Sequence, residues 1–367
     1  MTLRAIAAGC VAAVIAAVPY PARDRIRSAQ WHLAALGIAT AHRTAVGNGV
    51  TVALIDTGVR AKHEDLNDGV RPGLDVLPDP LGDGRDDIDG HGTMMAGIIA
   101  GRGHADGSGV LGIAPGSMIL PIRAPINAHA SHEYLVRAVA FAASRGAGVL
   151  NLSFSTSDDE FLRKAVQAAV DADLVVVAGS GNLGDAVEGD FPGRYPEVLT
   201  VGATGRDGRV AGFSVTGPQV DLVAPGVEIV TTGIGRSGYY RGSGTSEATA
   251  VVSGAAALVR AAHPELSAAE VVHRLVATAE DAGVAGRDDA YGHGRLDLVR
   301  ALTADVEPPA AGPSSLPVAA GGDVAVPVTG PERVPPLVVT GVAAGGVLLV
   351  GGVVVALMVI AGRRRRG

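Results

Sequence analysis

Four polar residues stand where acyl-transfer chemistry would need them. Asp56 closes the apolar run Val52-Ala-Leu-Ile55 and is followed by Thr57-Gly58. His91 lies in Asp89-Gly-His-Gly-Thr-Met-Met-Ala-Gly97, bracketed by glycines before Ile98-Ile-Ala100. Asn182 follows Leu174-Val-Val-Val-Ala178 through Gly179-Ser-Gly181. Ser246 lies in Gly242-Ser-Gly-Thr-Ser-Glu-Ala248 and opens an Ala/Val-rich run that reaches Arg260. A hydroxyl at a helix start has backbone N–H groups beside it that can receive a developing oxyanion. An imidazole can take the hydroxyl proton, a carboxylate can hold the imidazole in the right tautomer, and an amide can add a second oxyanion donor. Singly, each residue has a plainer explanation: a turn Asp, a surface His, a loop Asn, a helix-capping Ser. Together, in the order Asp, His, Asn, Ser, they are much harder to obtain by chance.

The elements that must position them alternate in period. Short β-branched runs bounded by Gly, Pro or Asp predict buried strands at Val50–Ile55, Ile119–Arg123, Gly148–Phe154, Asp173–Ala178 and Val198–Val201. Helical stretches lie between them. Ser157-Asp-Asp-Glu160 and Ser267-Ala-Ala-Glu270 are both predicted capping boxes, and Ser131–Ser144 is amphipathic. Strands apolar on both faces and alternating with helices predict an α/β fold, a doubly wound, mostly parallel sheet covered by helices on both sides. In such sheets the functional crevice lies at the carboxyl ends of the strands, where these polar residues fall.

On Val52-Ala-Leu-Ile-Asp-Thr-Gly58, Asp89-Gly-His-Gly-Thr93 with Ala96-Gly97, and Gly244-Thr-Ser-Glu-Ala248 with Gly254, the chain resembles the subtilisin-like serine proteases. Asn151-Leu-Ser153, Ala224-Pro-Gly226, His263-Pro-Glu-Leu-Ser267 and Tyr291-Gly-His-Gly-Arg-Leu-Asp297 extend the likeness, which covers about Gly47 to Leu302. The resemblance implies a serine endopeptidase with Asp56, His91 and Ser246 as catalytic triad. It also implies Asn182 as the oxyanion-hole amide, with Ser153, Phe154 and Ser155, and Gly179, Ser180 and Gly181, as substrate-binding walls. Within that family the chain looks like the mycosins, membrane-anchored subtilases associated with type VII secretion. Protein or peptide substrates and a link to that machinery are therefore expected. Two departures stand out: Glu247 follows the nucleophile where the family has an apolar residue, and Ala250 replaces a proline.

Both ends of the 367 residues lie outside this domain. Residues 1–22 read as a signal peptide, with Arg4 before the apolar stretch Ala5–Val18, which is too short for a comfortable membrane span. Residues 303–336 hold eight prolines and read as an extended linker. Leu337–Gly362 carries no charge and is long enough to cross a bilayer, and Arg363–Arg366 should hold the tail, 363–367, in the cytoplasm. A single-pass protein of the cell membrane, with its body outside the cytoplasm, is expected. One peptidase domain, 23–302, remains. Its first 26 residues, 23–48, are too few for an independently folded pro-domain and are expected to pack against the body.

Removing the ends sharpens the composition. Lys+Arg falls from 30 to 25 against 37 Asp+Glu, so the formal charge of −7 becomes about −12 outside the membrane, which argues against nucleic acid. Cys10 leaves with the signal, so there is neither a disulfide nor a thiol nucleophile. With five Phe, six Tyr and one Trp, the core must be built from aliphatic side chains.

Other motifs carry less. Gly179-Ser-Gly-Asn-Leu-Gly184 fits G-x-G-x-x-G, but Asp185–Pro196 has no helical period and a dinucleotide loop needs a helix there. No serine lies in G-x-S-x-G, and His129-Ala-Ser-His-Glu133 is not H-E-x-x-H. The chemistry needs no cofactor and no catalytic metal. The acidic run Asp83–Asp89 could bind a structural calcium, although a solvated loop is the plainer reading. Arg23-Asp-Arg-Ile-Arg27 reads as a solvated start of the mature chain.

Overall fold

The computed structural model describes residues 25–308 apart from 81, 106, 126–131 and 185–189. The signal peptide, most of the linker, the apolar span and the arginine tail lie outside the described residues. The chain divides into two compact units, 1–312 and 313–367, and the second lies wholly outside them. Among the described residues no helix is long and apolar enough to cross a membrane.

Three short helices open the domain: α1 Arg25–Ala29, α2 Trp31–Ala35 and α3 Ile38–Thr44. Strand β1 (Thr51–Asp56) is followed by β2 (Leu74–Asp75), α4 (His91–Ala100), β3 (Arg102–His104), β4 (Ser108–Leu111) and β5 (Met118–Arg123). Helix α5 (Glu133–Ser144), β6 (Val149–Leu152), α6 (Glu160–Asp171), β7 (Val175–Gly179), β8 (Leu199–Thr204) and β9 (Leu222–Pro225) continue the alternation. The chain then forms β10 (Ile229–Thr232), β11 (Tyr239–Gly242), α7 (Thr245–Ala262), α8 (Ala268–Ala277) and α9 (Leu298–Thr303).

Seven strands form one parallel sheet in the order β2-β5-β1-β6-β7-β8-β9. The order reverses around β1, which pairs with β5 on one side (Thr51 opposite Met118) and β6 on the other (Val52 opposite Val149). Every residue of β1 is buried. Its side chains divide between two cores with period 2. Val52 and Leu54 join α4 and α7 on one face, with Ile98, Ile99, Val251 and Leu258. Ala53 and Ile55 join α5 and α6 on the other, with Leu135, Val139, Leu162 and Val166. The doubly wound sheet follows from that two-faced burial.

Local details differ from the sequence expectations in two places. The Ser267–Glu270 capping box forms with both of its bonds, but Ser157 caps nothing. Asp159 takes that role for α6, accepting from the Leu162 N–H at 2.8 Å, because a carboxylate at the residue before the helix outcompetes a hydroxyl two positions earlier. Arg27 is not solvated: its Nε donates to the Gly109 carbonyl at 2.9 Å. The N-terminal segment packs against the body, as expected from its length. Gln30 Oε1 accepts from the Leu111 N–H at 2.9 Å while its Nε2 donates to Leu111 and Val230 carbonyls, and Trp31 Nε1 donates to the Val227 carbonyl at 3.0 Å.

Candidate active site

Asp56 is the last residue of β1, fully buried at the carboxyl end of the sheet's switch point. Its carboxylate faces the imidazole of His91, with Nδ1 2.8 Å from Oδ1 and 3.0 Å from Oδ2. The Thr57 N–H also donates to Oδ1, at 2.8 Å. A carboxylate on Nδ1 fixes the tautomer that carries a proton there and leaves Nε2 as the basic nitrogen.

His91 is the first residue of α4, and its placement depends on a residue that the sequence reading passed over. Asp87 lies in the acidic run assigned to solvent or calcium, yet it is buried and its two oxygens receive five donors. Oδ1 accepts from the Thr57 hydroxyl at 3.0 Å and the Asp89 and Gly90 N–H groups at 3.1 and 2.8 Å. Oδ2 accepts from the Thr93 N–H at 3.0 Å and the Thr93 hydroxyl at 2.6 Å. The Thr57 hydroxyl oxygen accepts in turn from the Gly92 N–H at 2.9 Å. The strand end that carries Asp56 and the helix start that carries His91 are thus tied through one carboxylate. Its signal in the sequence is an Asp close ahead of a helix start, a capping pattern that the neighbouring charges disguised. Asp83 of the same run pairs with Arg85 at 2.7 Å. Among the described residues no group of three or more His, Cys, Asp or Glu could hold a metal ion.

Charge around the imidazole favours its protonated form. Burial opposes the charge, but the hydrogen-bonded Asp56, with Glu247 and Asp89 nearby, outweighs it and raises the His91 pKa to about 9.

Ser246 is the second residue of α7, an 18-residue helix that is buried through most of its length. The Ser246 hydroxyl donates to the Ser153 carbonyl at 3.2 Å, and the Ser153 hydroxyl donates back to the Ser246 carbonyl at 3.2 Å. Helices α4 and α7 pack against each other, so the two starts that bear His91 and Ser246 belong to one layer. Asn182 follows β7, where it bridges Ser214, and its Oδ1 accepts from the Thr245 N–H at 2.9 Å. A backbone donor demands the amide's oxygen, so Nδ2 takes the other side of the carboxamide. Among the described residues no helix follows Gly179–Gly184; residues 185–189, which that expectation concerned, lie outside them.

The two segments expected as walls differ in what they present. Ser180 is buried and its hydroxyl donates to the Val215 carbonyl at 2.7 Å, while the Val215 N–H donates to the Gly181 carbonyl at 3.0 Å. Phe154 is buried, and its ring belongs to the α5–α6 core. Glu247 is also buried, not solvated as a first-turn carboxylate would be. It packs over the backbone at Gly242 and Gly244, and burial pushes its pKa up, with its own N–H and His91 pulling back.

Residues 47–294 match the Subtilase family model of S8 peptidases. Mycosin-1 of Mycobacterium tuberculosis is 38% identical over 374 residues, spanning 86% of this chain and 82% of that protein. A crystal structure of MycP1 with its N-terminal propeptide removed is 34% identical and superposes with a TM-score of 0.68, over 76% of this chain and 98% of that one. The periplasmic assembly from the ESX-5 inner membrane complex contains a chain 30% identical, with a TM-score of 0.67 over 86% of this chain and 90% of its own length.

Proposed function

Because the chain belongs to the subtilase family, and is therefore a serine endopeptidase, we propose that Ser246 attacks the substrate carbonyl with His91 as base and Asp56 as its partner. The observation that carries this reading is the Asp56–His91 pair, 2.8 and 3.0 Å from Nδ1 to the two carboxylate oxygens. Nε2 takes the Ser246 proton as Oγ bonds to the carbonyl carbon. The oxyanion accepts from Asn182 Nδ2 and the Ser246 N–H at the open helix start. His91 then gives the proton to the departing amine, and water releases the acyl-enzyme by the reverse sequence. Before substrate binds, the Ser246 hydroxyl donates to Ser153, so attack requires Oγ to leave that carbonyl and turn to Nε2. None of these steps uses a cofactor.

A fluorophosphonate probe tests the assignment. It should label the wild type and not Ser246→Ala; labelling that survives the substitution, or is absent from the wild type, refutes it.

The same reading anchors the chain in the cell membrane through Leu337–Gly362, with the body outside the cytoplasm, and links it to a type VII secretion system. It is supported by the likeness to Mycosin-1 and to a chain of the ESX-5 periplasmic assembly. That assembly also favours a second reading, in which the domain holds a secretion complex together and proteolysis is secondary. Secretion that survives Ser246→Ala but not deletion of the chain separates the second reading from the first.

A further inference from the structure

Asn151 is a polar residue in an apolar place. On β6 it lies opposite Leu54 of β1 and Val177 of β7, and both of these belong to the α4–α7 core, as does Val149 on the same strand. Asn151 is fully buried, and an amide so placed is unfavourable unless both of its ends are matched. Its Oδ1 accepts from the Ser253 hydroxyl of α7 at 2.9 Å, and its Nδ2 donates to the Ser153 hydroxyl oxygen at 2.8 Å. The Ser153 hydroxyl donates in turn to the Ser246 carbonyl at 3.2 Å. Ser253 is fully buried and Ser153 nearly so, so no solvent interrupts the chain.

The polarity of these bonds is forced from one end. A carbonyl can only accept, so Ser153 must donate to Ser246 and keeps its lone pairs for an incoming N–H. Nδ2 of Asn151 supplies that N–H, which turns Oδ1 to Ser253 and requires the Ser253 hydroxyl to donate. Ser253 and Ser246 lie about two turns apart on one face of α7. The chain of bonds therefore leaves the helix at Ser253, crosses to the sheet and returns to the helix at Ser246.

The first N–H groups of a helix have no partners within it, so their direction rests on contacts from outside. Two such contacts flank the Ser246 N–H. Asn182 Oδ1 accepts from the Thr245 N–H in the preceding peptide plane, and Ser153 donates to the Ser246 carbonyl in the following one. The plane between them carries the Ser246 N–H, an oxyanion donor in the proposed mechanism. One of its two anchors depends on Asn151 and Ser253.

We infer that Asn151 and Ser253 are positioning residues for the reaction: through Ser153 they hold the nucleophile's first turn, and with it the Ser246 N–H, in the direction that the oxyanion requires. The inference rests on Ser246 being the nucleophile. Donors fixed in advance in this way act on the rate of attack and not on binding.

The test follows fluorophosphonate inactivation of the full chain over a range of probe concentrations, which separates the limiting rate from the half-saturating concentration. Ser253→Ala breaks the chain of bonds at its far end, and Asn151→Leu, close to asparagine in shape, breaks it in the middle. Each should lower the limiting rate by roughly three- to tenfold, the scale of one hydrogen bond, and leave the half-saturating concentration unchanged. The double variant should be no slower than Asn151→Leu, because the links act in series. Urea unfolding alongside reads out a purely structural role, which would lower stability at the wild-type limiting rate. Ser253→Ala, the milder change, decides alone if the leucine variant does not fold. A Ser253→Ala limiting rate equal to that of the wild type, or losses that multiply in the double variant, overturns the inference while Ser246 stands. A wild type that the probe does not label, or labelling that survives Ser246→Ala, removes Ser246 and this inference with it.

Discussion

The docked N-terminal segment contains an unusual histidine. His32, in α2, is fully buried, and neither ring nitrogen has a hydrogen-bond partner among the described residues. Burial alone lowers its pKa from 6.5 to about 3, so the docked segment holds it neutral. Once the segment undocks, the imidazole takes a proton below its ordinary value. The docked state binds fewer protons, so stability rises with pH across this window: the penalty begins below about 6.5 and grows until about 3. At roughly 1.4 kcal/mol per pH unit, acidification to pH 5 costs docking about 2 kcal/mol. His32→Leu removes both the titration and the two unmatched nitrogens, at similar volume. Urea unfolding of both proteins at pH 7 and pH 5 isolates the effect, because every other titrating group is common to the pair and cancels in the difference. The leucine variant should be at least as stable as the wild type at pH 7, and its advantage should widen by about 2 kcal/mol at pH 5. Proteolysis near Arg27 should accelerate in the acidified wild type first. A wild-type-to-variant difference that stays the same at both pH values would falsify the argument.

Three further outcomes follow from the site. Fluorophosphonate labelling should rise with pH, with a midpoint near 9, because the base must be neutral and its surroundings favour the protonated form; Glu247→Gln should move that midpoint toward neutral. Asp87→Ala should lower stability by about 3 kcal/mol in urea unfolding, since it strands several buried donors. It should also slow labelling by letting His91 drift from Asp56. Gly92→Ala should slow labelling too, because the added carbon would run into the Gly58 carbonyl and approach Asp56 Cβ at 3.2 Å, pushing the start of α4 off β1.

The features that could be read from sequence share a short range. The strand that ends at Asp56 is apolar without a break, and the Ser267–Glu270 box needs four consecutive residues, so each carries its own signal. Ser246 and His91 were legible through glycine brackets, which mark backbone brought close to other groups. Asp87 was not, because its five donors come from Thr57 and from Asp89–Thr93, and their convergence is a property of the folded chain. Phe154 was expected in a wall through the family resemblance alone; in the fold its ring joins Leu150 and Leu152 in the α5–α6 core, a partner set that only the folded chain assembles. The inward turn of Glu247 was equally hidden, since a first-turn carboxylate is ordinarily solvated.

The way Ser246 is mounted bears on the history of such a chain. The helix beneath it runs through the core, and Ala248, Ala250, Val251, Val252 and Gly254–Val259 are all buried, so nearly every change along that shaft threatens the fold. The hydroxyl at its tip, by contrast, makes one 3.2 Å bond to a carbonyl. On the proposed mechanism, chemistry and architecture are therefore separable by a single substitution: the proposed nucleophile can drift away while the core helix that carries it remains intact. A lineage that came to need only the shape could shed the reaction in one mutational step, and the reverse step would restore it as long as Asp56 and His91 were kept.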